Sequence, residues 1–321
     1  MEPIIEFKQV AKEFEGQVVL KELDLSIHQG EIFVLVGPSG SGKTTSLKMI
    51  NGLIEPTEGN VYFKQKRVKD YQLQKLRWKI GYVLQQIALF PTMSVKENIE
   101  IIPEMLGWDK NRRNQRVNEL LTEVGLEPET FKKRMPAELS GGQSQRIGIL
   151  RALAAEPDII LMDEPFSALD PISRTNLQDL VLDLHKKLGN TIVFVTHNMN
   201  EALKLGDRIG VMNEGRLVQC DTPEKIRTEP KTEFVRAFFD ETQGAQKNES
   251  LQAIIDAGYY QNVSPLQEGI AVDVKTPLSQ VYQILTSHES LIVTKQEQVV
   301  GEVRRSDIFH FLSQEEQDEK I

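Results

Sequence analysis

Cysteine, basic excess and long apolar runs are all scarce in this 321-residue chain, and each shortage excludes something. Cys220 is its one cysteine, so no disulfide can form within the chain and a reducing compartment is expected. Its 38 Lys and Arg are outnumbered by 47 Asp and Glu, for a formal net charge of −9. An acidic chain is a poor general ligand for a phosphate backbone, which argues against nucleic acid as a partner. No apolar run approaches the ~20 residues of a bilayer-crossing helix, and the opening Met1-Glu2-Pro3 lacks the basic start of a signal peptide. Any membrane role is therefore expected to be borrowed from other subunits. The length, by contrast, is ample for a large core and more than one domain.

What is present begins with Gly37-Pro38-Ser39-Gly40-Ser41-Gly42-Lys43-Thr44, a complete match to G-x-x-x-x-G-K-[ST]. Ile32 to Val36, apolar and rich in β-branched residues, reads as a buried parallel strand before it. Lys43 to Ile50 reads as a helix after it, ending near Gly52. Glycines let successive N–H groups point inward, and the helix N-terminus adds partial positive charge, which makes a cradle for phosphate. Lys43 is expected to reach the β- and γ-phosphates and Thr44 to ligate Mg²⁺, with Thr45 completing the phosphate-binding set.

A second apolar strand, Ile159 to Met162, delivers Asp163 and Glu164 to its carboxyl end, where open α/β sheets bind ligands. Two adjacent carboxylates there call for a cation. Asp163 is expected to hold the metal through its water shell, and Glu164 to take a proton from the attacking water. A third apolar strand, Thr191 to Thr196, brings His197 to the same edge. Ser140 suits the N-cap of a helix running into the apolar stretch Ile147 to Ala155, which puts another positive helix end near an anion.

Leu139-Ser140-Gly141-Gly142-Gln143, downstream of a phosphate loop, resembles the signature of ATP-binding cassette (ABC) ATPases. The resemblance implies an α/β P-loop NTPase cassette: a mixed core sheet with an antiparallel β subdomain and a helical subdomain. It implies ATP as ligand, and a homodimer in which Ser140, Gly141, Gly142 and Gln143 of one subunit close over ATP held by the other. His197 then corresponds to the histidine that contacts the γ-phosphate. Gln85, after Gly81-Tyr82-Val83-Leu84, corresponds to the glutamine that touches Mg²⁺ and responds to the membrane partner. Phe14, in Lys12-Glu13-Phe14-Glu15-Gly16, corresponds to the aromatic that stacks on adenine. Asp170, in Ser167-Ala168-Leu169-Asp170, belongs to the segment joining the two sites, and Asp170-Pro171 is also a plain helix start.

Ile101 to Lys110 and Thr196 to Leu203 look like the importer branch that takes up quaternary-ammonium osmoprotectants such as glycine betaine, carnitine or choline. That likeness implies transmembrane permease subunits, an extracytoplasmic substrate-binding protein or domain, and a peripheral place at the cytoplasmic face of the membrane. The alternatives are a soluble, non-transport ABC ATPase and an exporter ATPase.

The remaining organisation is coarser. Ile4 to Ile27 alternates like an antiparallel sheet, and Phe90 to about Arg134 is helical, with Val117, Leu120, Leu121 and Val124 on one face. Leu177, Leu180, Val181 and Leu184 repeat that spacing. The ATPase domain is expected over 1–240. A polar linker is expected over 241–250, where apolar periodicity stops, and a small α+β unit over 251–321. In that unit, strand, helix, strand, strand and helix follow over Ala271 to Val274, Val281 to Leu285, Leu291 to Val293, Val299 to Gly301 and Ile308 to Leu312. The order resembles one cystathionine-β-synthase (CBS) motif, which implies a regulatory tail with a small ligand, or a dimerisation module. Asp307 matches the motif's acid, but Arg304 stands where its nucleotide-binding version has Thr or Ser. Arg304 and Arg305 are open to phosphate, to an anionic lipid surface or to solvent alone.

Overall fold

The computed structural model describes residues 3–85, 88–248, 250–261, 269–296, 298–308 and 310–311; Leu312, at the end of the predicted last helix, lies outside them. The chain divides into two compact units, one of Met1–Leu169 with Leu177–Phe239, the other of Asp170–Asn176 with Asp240–Ile321.

The larger unit opens with long strands β1 (Pro3–Phe14) and β2 (Gln17–His28), then β3 (Ile32–Val36), helix α1 (Lys43–Ile50), β4 (Glu58–Phe63) and β5 (Lys66–Arg67). Short α2 (Leu73–Arg77) and β6 (Ile80–Val83) lead into helices α3 (Val95–Met105), α4 (Lys110–Glu123), α5 (Pro128–Phe131) and α6 (Gly141–Leu153). Then come β7 (Ile159–Asp163), α7 (Pro171–Leu188), β8 (Thr191–Thr196), α8 (Met199–Leu205), β9 (Arg208–Asn213), β10 (Arg216–Asp221), α9 (Pro223–Thr228) and α10 (Glu233–Asn248), the start of α7 to Asn176 and the end of α10 from Asp240 being counted in the smaller unit. An antiparallel sheet runs β2-β1-β4-β5, and a mixed sheet runs β10-β9-β3-β8-β7-β6, with β10 antiparallel at its edge.

The central strands are apolar throughout because both faces are covered. Ile32, Val34 and Val36 enter one core with α6, α7 and α8, while Phe33 and Leu35 enter another with β1, β2 and α1. The period of two recurs in β7 and β8: Ile160, Met162, Ile192 and Phe194 face the first core, and Ile159, Leu161, Val193 and Val195 the second. Each such side chain contributes about 1.5–3 kcal/mol by leaving water, so a one-residue slip would be prohibitive. Register therefore levels the strand ends. Val36 pairs with Thr196 and Asp163 with Val195, which brings the three expected site segments to one edge.

The helical region begins at Val95, where Ser94 and Glu97 cap each other's backbone reciprocally. Val117, Leu120, Leu121 and Val124 are buried as their spacing predicts, as are Leu177, Val181 and Leu184, with Leu180 partly covered.

The smaller unit contains α11 (Leu251–Asp256), β11 (Ala271–Asp273), α12 (Leu278–Ser287), β12 (Ser290–Lys295) and β13 (Gln298–Arg304), then helix from Arg305. Its sheet runs β11-β12-β13, parallel in the first pair, which α12 connects, and antiparallel in the second. Leu251, Ile254, Val281, Leu285, Val293 and Val303 form its core. Residues 241–248, expected as a linker, instead continue α10. Phe234 and Phe238 stack one turn apart upstream, and the polar residues that follow are mostly good helix formers, able to propagate a helix already nucleated.

Candidate functional site

The phosphate loop joins the end of β3 to α1, and its glycines are required by geometry. A Cβ on Gly37 would stand 2.1 Å from the Met212 carbonyl oxygen. At Gly42, the N-cap of α1, φ is 99° and a Cβ would meet Leu20 Cδ2 at 2.5 Å. No side chain caps α1 there, so its first N–H groups remain available to an anion. Ser41 Oγ is buried inside the loop without a hydrogen-bond partner. Lys43 is buried and donates to the Gly37 and Pro38 carbonyls at 2.7 and 2.9 Å. Desolvation pulls its pKa below the ordinary lysine value, opposed by Glu164 and Asp163. A buried cation resting on two loop carbonyls and an orphaned hydroxyl are the marks of an anion cradle.

Thr44 Oγ1 donates to Asp163 Oδ1 at 2.8 Å, and Asp163 is nearly buried. Two hard oxygen donors at that spacing fit Mg²⁺. Among the described residues no cluster of three or more His, Cys, Asp or Glu offers a protein-only cage, and Mg²⁺ characteristically binds through one or two protein ligands plus phosphate and water. Tyr82, on β6, donates to Asp163 Oδ2 at 3.4 Å; burial first, and Asp163 second, push its hydroxyl pKa up. Sequence reasoning passed over Tyr82, although a tyrosine near the carboxyl end of an apolar parallel strand is a readable cue. Gln85 is exposed just beyond β6, the neighbour of β7, and so stands at the same edge.

Glu164 adopts φ 45°, a left-handed conformation worth about 1–3 kcal/mol of strain for a non-glycine residue. Its N–H bonds the Val195 carbonyl at 3.0 Å. Its Oε2 lies 3.1 Å from His197 Nδ1, with the glutamate mostly covered and the histidine half exposed. The fold thus unites Thr44, Asp163, Glu164 and His197 from three separate strand ends.

The other expected residues lie apart from this cluster. Phe14 is exposed near the β1–β2 turn, paired with Gln17; Val19, about 7 Å further along β2, has its carbonyl 3.1 Å from the Gly42 Cβ position. Lys12 Nζ lies 4.6 Å over the Phe14 ring. At the start of α6, Gln143 N–H donates to Ser140 Oγ and Ser140 N–H to Gln143 Oε1, a reciprocal cap that leaves the Ser140 O–H and the Gln143 Nε2 donors uncommitted by those bonds. Gly141 and Gly142 follow, and a Cβ on Gly141 would meet open space. Asp170 accepts from the Ser173 N–H at 2.9 Å, the helix-start role.

Comparison with known proteins agrees with this geometry. The ABC transporter family matches residues 20–167. The chain is 44% identical, over 91% of its length, to the osmoprotectant import ATP-binding protein OsmV of Salmonella typhimurium, and covers 76% of that protein. This chain belongs to the ABC transporter ATPase family. It is also 51% identical, over 73% of its length, to the carnitine transport ATP-binding protein OpuCA of Listeria monocytogenes, of which it spans 59%. A dimeric ATP-binding cassette solved in a post-hydrolysis state with ADP and Pi superposes with a TM-score of 0.60 at 36% identity, covering 68% of this chain and 98% of that one. The ABC ATPase fold and ATP binding are thereby shared with proteins of known structure.

Proposed function

We propose that this ABC ATPase drives an importer for a quaternary-ammonium osmoprotectant of the glycine betaine, carnitine or choline type. It works as a homodimer at the cytoplasmic face of the membrane, beneath two permease subunits served by a substrate-binding protein or domain. The observation that carries this reading is the meeting of Thr44, Asp163, Glu164 and His197 at one sheet edge in a chain whose relatives bear importer names.

In this reading, ATP phosphates draw Lys43 off the Gly37 and Pro38 carbonyls and take the free N–H groups of α1. Thr44 and Asp163 would hold Mg²⁺, with Gln85 as a further ligand, and the ion would neutralise phosphate charge. Glu164 accepts the proton of the attacking water while His197 orients it against the γ-phosphate. Phe14 stacks on adenine. The capping bonds use only acceptor atoms of the Ser140 and Gln143 side chains, so the Ser140 hydroxyl and the Gln143 amide still have donors for the partner's phosphate, beside the backbone N–H groups of Gly141 and Gly142 and the α6 dipole. Loss of that phosphate weakens the attraction and lets the dimer open. Asp170 links the two sites.

The permease reading draws on a groove of about 380 Å³ lined by Tyr82, Leu84, Phe90, Met105 and Arg151. Leu84, Phe90 and Met105 are exposed apolar side chains that gain from being covered. No described helix is long and apolar enough to cross a membrane, and in this reading the passage of solute falls to the permease subunits. The CBS-like tail is proposed as a dimerisation or regulatory module, responding to ionic strength or a cyclic dinucleotide. Arg304 already engages Glu302 and Asp307, which favours a structural part over phosphate binding for that residue.

The test is uptake in vesicles carrying the chain with its permease and binding subunits. ATP-dependent accumulation of a labelled trimethylammonium solute is expected, with ATPase activity per chain falling on dilution below the dimer range. Efflux, or full activity of the isolated monomer, overturns the reading.

A further inference from the structure

His197 is carried on a turn with an unusual amount of polar fastening. Thr196, the buried last residue of β8, donates its hydroxyl to Glu201 Oε2 at 2.6 Å, and Thr196 Oγ1 accepts from the Asn198 N–H at 3.0 Å. Asn198 Oδ1 in turn accepts from the Asn200 and Glu201 N–H groups at 2.8 and 3.3 Å, starting α8. Glu201 is itself buried, an expensive place for a carboxylate on a surface helix.

Thr196 gives its single hydroxyl proton to Glu201, which leaves the hydroxyl lone pairs for the Asn198 N–H. His197 lies between the two residues so joined. Its ring bonds Glu164, whose own backbone N–H is tied to Val195 on the same strand. One strand end therefore holds both members of the Glu164–His197 pair, and the Thr196–Glu201 bond closes the turn that sets the angle of the histidine.

We propose that Thr196 and Glu201 are positioning residues for ATP hydrolysis: their buried hydrogen bond aims the His197 ring at Glu164. The proposal rests on the roles given above to Glu164 and His197, and it assigns a task to two buried side chains that bond each other.

The experiment measures kcat, KM and ATP Kd of the full-length chain with Thr196→Val, which keeps shape and β-branching, and with Glu201→Met, which keeps length without an acceptor. Each is expected to lower kcat about tenfold, the effect of one misplaced hydrogen bond, with KM and Kd changed less than about twofold. Thr196→Ser should restore most of the loss. In a His197→Ala background Thr196→Val should cost nothing further, since coupled residues are not additive. Wild-type kcat in either folded variant overturns the inference, as does an equal loss added on top of His197→Ala. Failure of both variants to fold also counts against it, because the pair would then serve stability and not alignment. A His197→Ala chain with wild-type turnover would instead sink the underlying reading of the site.

Discussion

The two units bury apolar side chains by the same rules, yet they treat their polar groups in opposite ways. In the larger unit the strand ends leave capacity unspent: Ser41 Oγ is buried without a partner, the first N–H groups of α1 are uncapped, and Glu164 is held at a strained φ. In the smaller unit most of the strand-end polar groups are consumed internally. Arg304 bonds Glu302 through its guanidinium and Asp307 through its N–H, while Nη2 of Arg305 reaches the Leu285 and His288 carbonyls and its Nε is buried without a partner. Unspent polar capacity at a covered position is costly unless a ligand completes it. The contrast separates a unit with polar groups uncommitted at its strand ends from one whose described strand-end groups are largely paired with each other.

The largest expected effect tests the unspent side. Glu164→Gln keeps the shape of the site and removes the proton acceptor; phosphate release should fall by roughly 10²–10⁴-fold, the usual contribution of a general base, with ATP affinity retained. Unchanged turnover would erase the difference between the units.

A second expectation concerns independence. Leu285 is fully buried in the tail core, and Leu285→Ala should cost about 2–5 kcal/mol. Hydrogen exchange should then rise across β11, β12 and β13 while the strands around Asp163 keep their protection. Loss of protection spreading into β7 and β8 would show that the two units do not unfold separately.

The smallest expected effect is a pH dependence confined to the tail. A hydrogen bond from Ser290, helped by Arg304, holds the Glu302 carboxyl below the ordinary glutamate value of 4.5, against the opposing effect of burial. A carboxylate whose pKa is depressed on folding stabilises the fold above its unfolded value, and that stability is lost as pH falls through the folded one. The protection factors of β13 amides, corrected for the intrinsic pH dependence of exchange, should therefore fall below pH 4.5 and be flat above it. Glu302→Gln should remove the acid-side change, and persistence of the change in that variant would refute the assignment.

Much of the site was readable before any coordinates because its parts are contiguous. The phosphate loop, the Asp163-Glu164 pair and the Ser140 cap each consist of neighbours in the chain, so motif and strand pattern locate them together. Tyr82 against Asp163 and Thr196 against Glu201 were not readable in this way. Each depends on a side chain from another element or another turn arriving within bonding distance, and hydropathy carries no such information. The continuation of α10 through 241–248 escaped for a related reason: a polar stretch without apolar spacing resembles a linker unless a helix already formed upstream can extend into it.

By itself, the order of residues determined the strand-loop-helix cradle, the apolar strands and the set of ionisable groups able to hold a metal and move a proton, because these follow from local backbone geometry and short-range chemistry. Only the tertiary structure decided which of those groups meet. Pairing of Val36 with Thr196 and of Asp163 with Val195 is enforced by two cores burying alternate side chains of the same strands, and it is this register that carries Glu164 to His197 and Thr44 to Asp163.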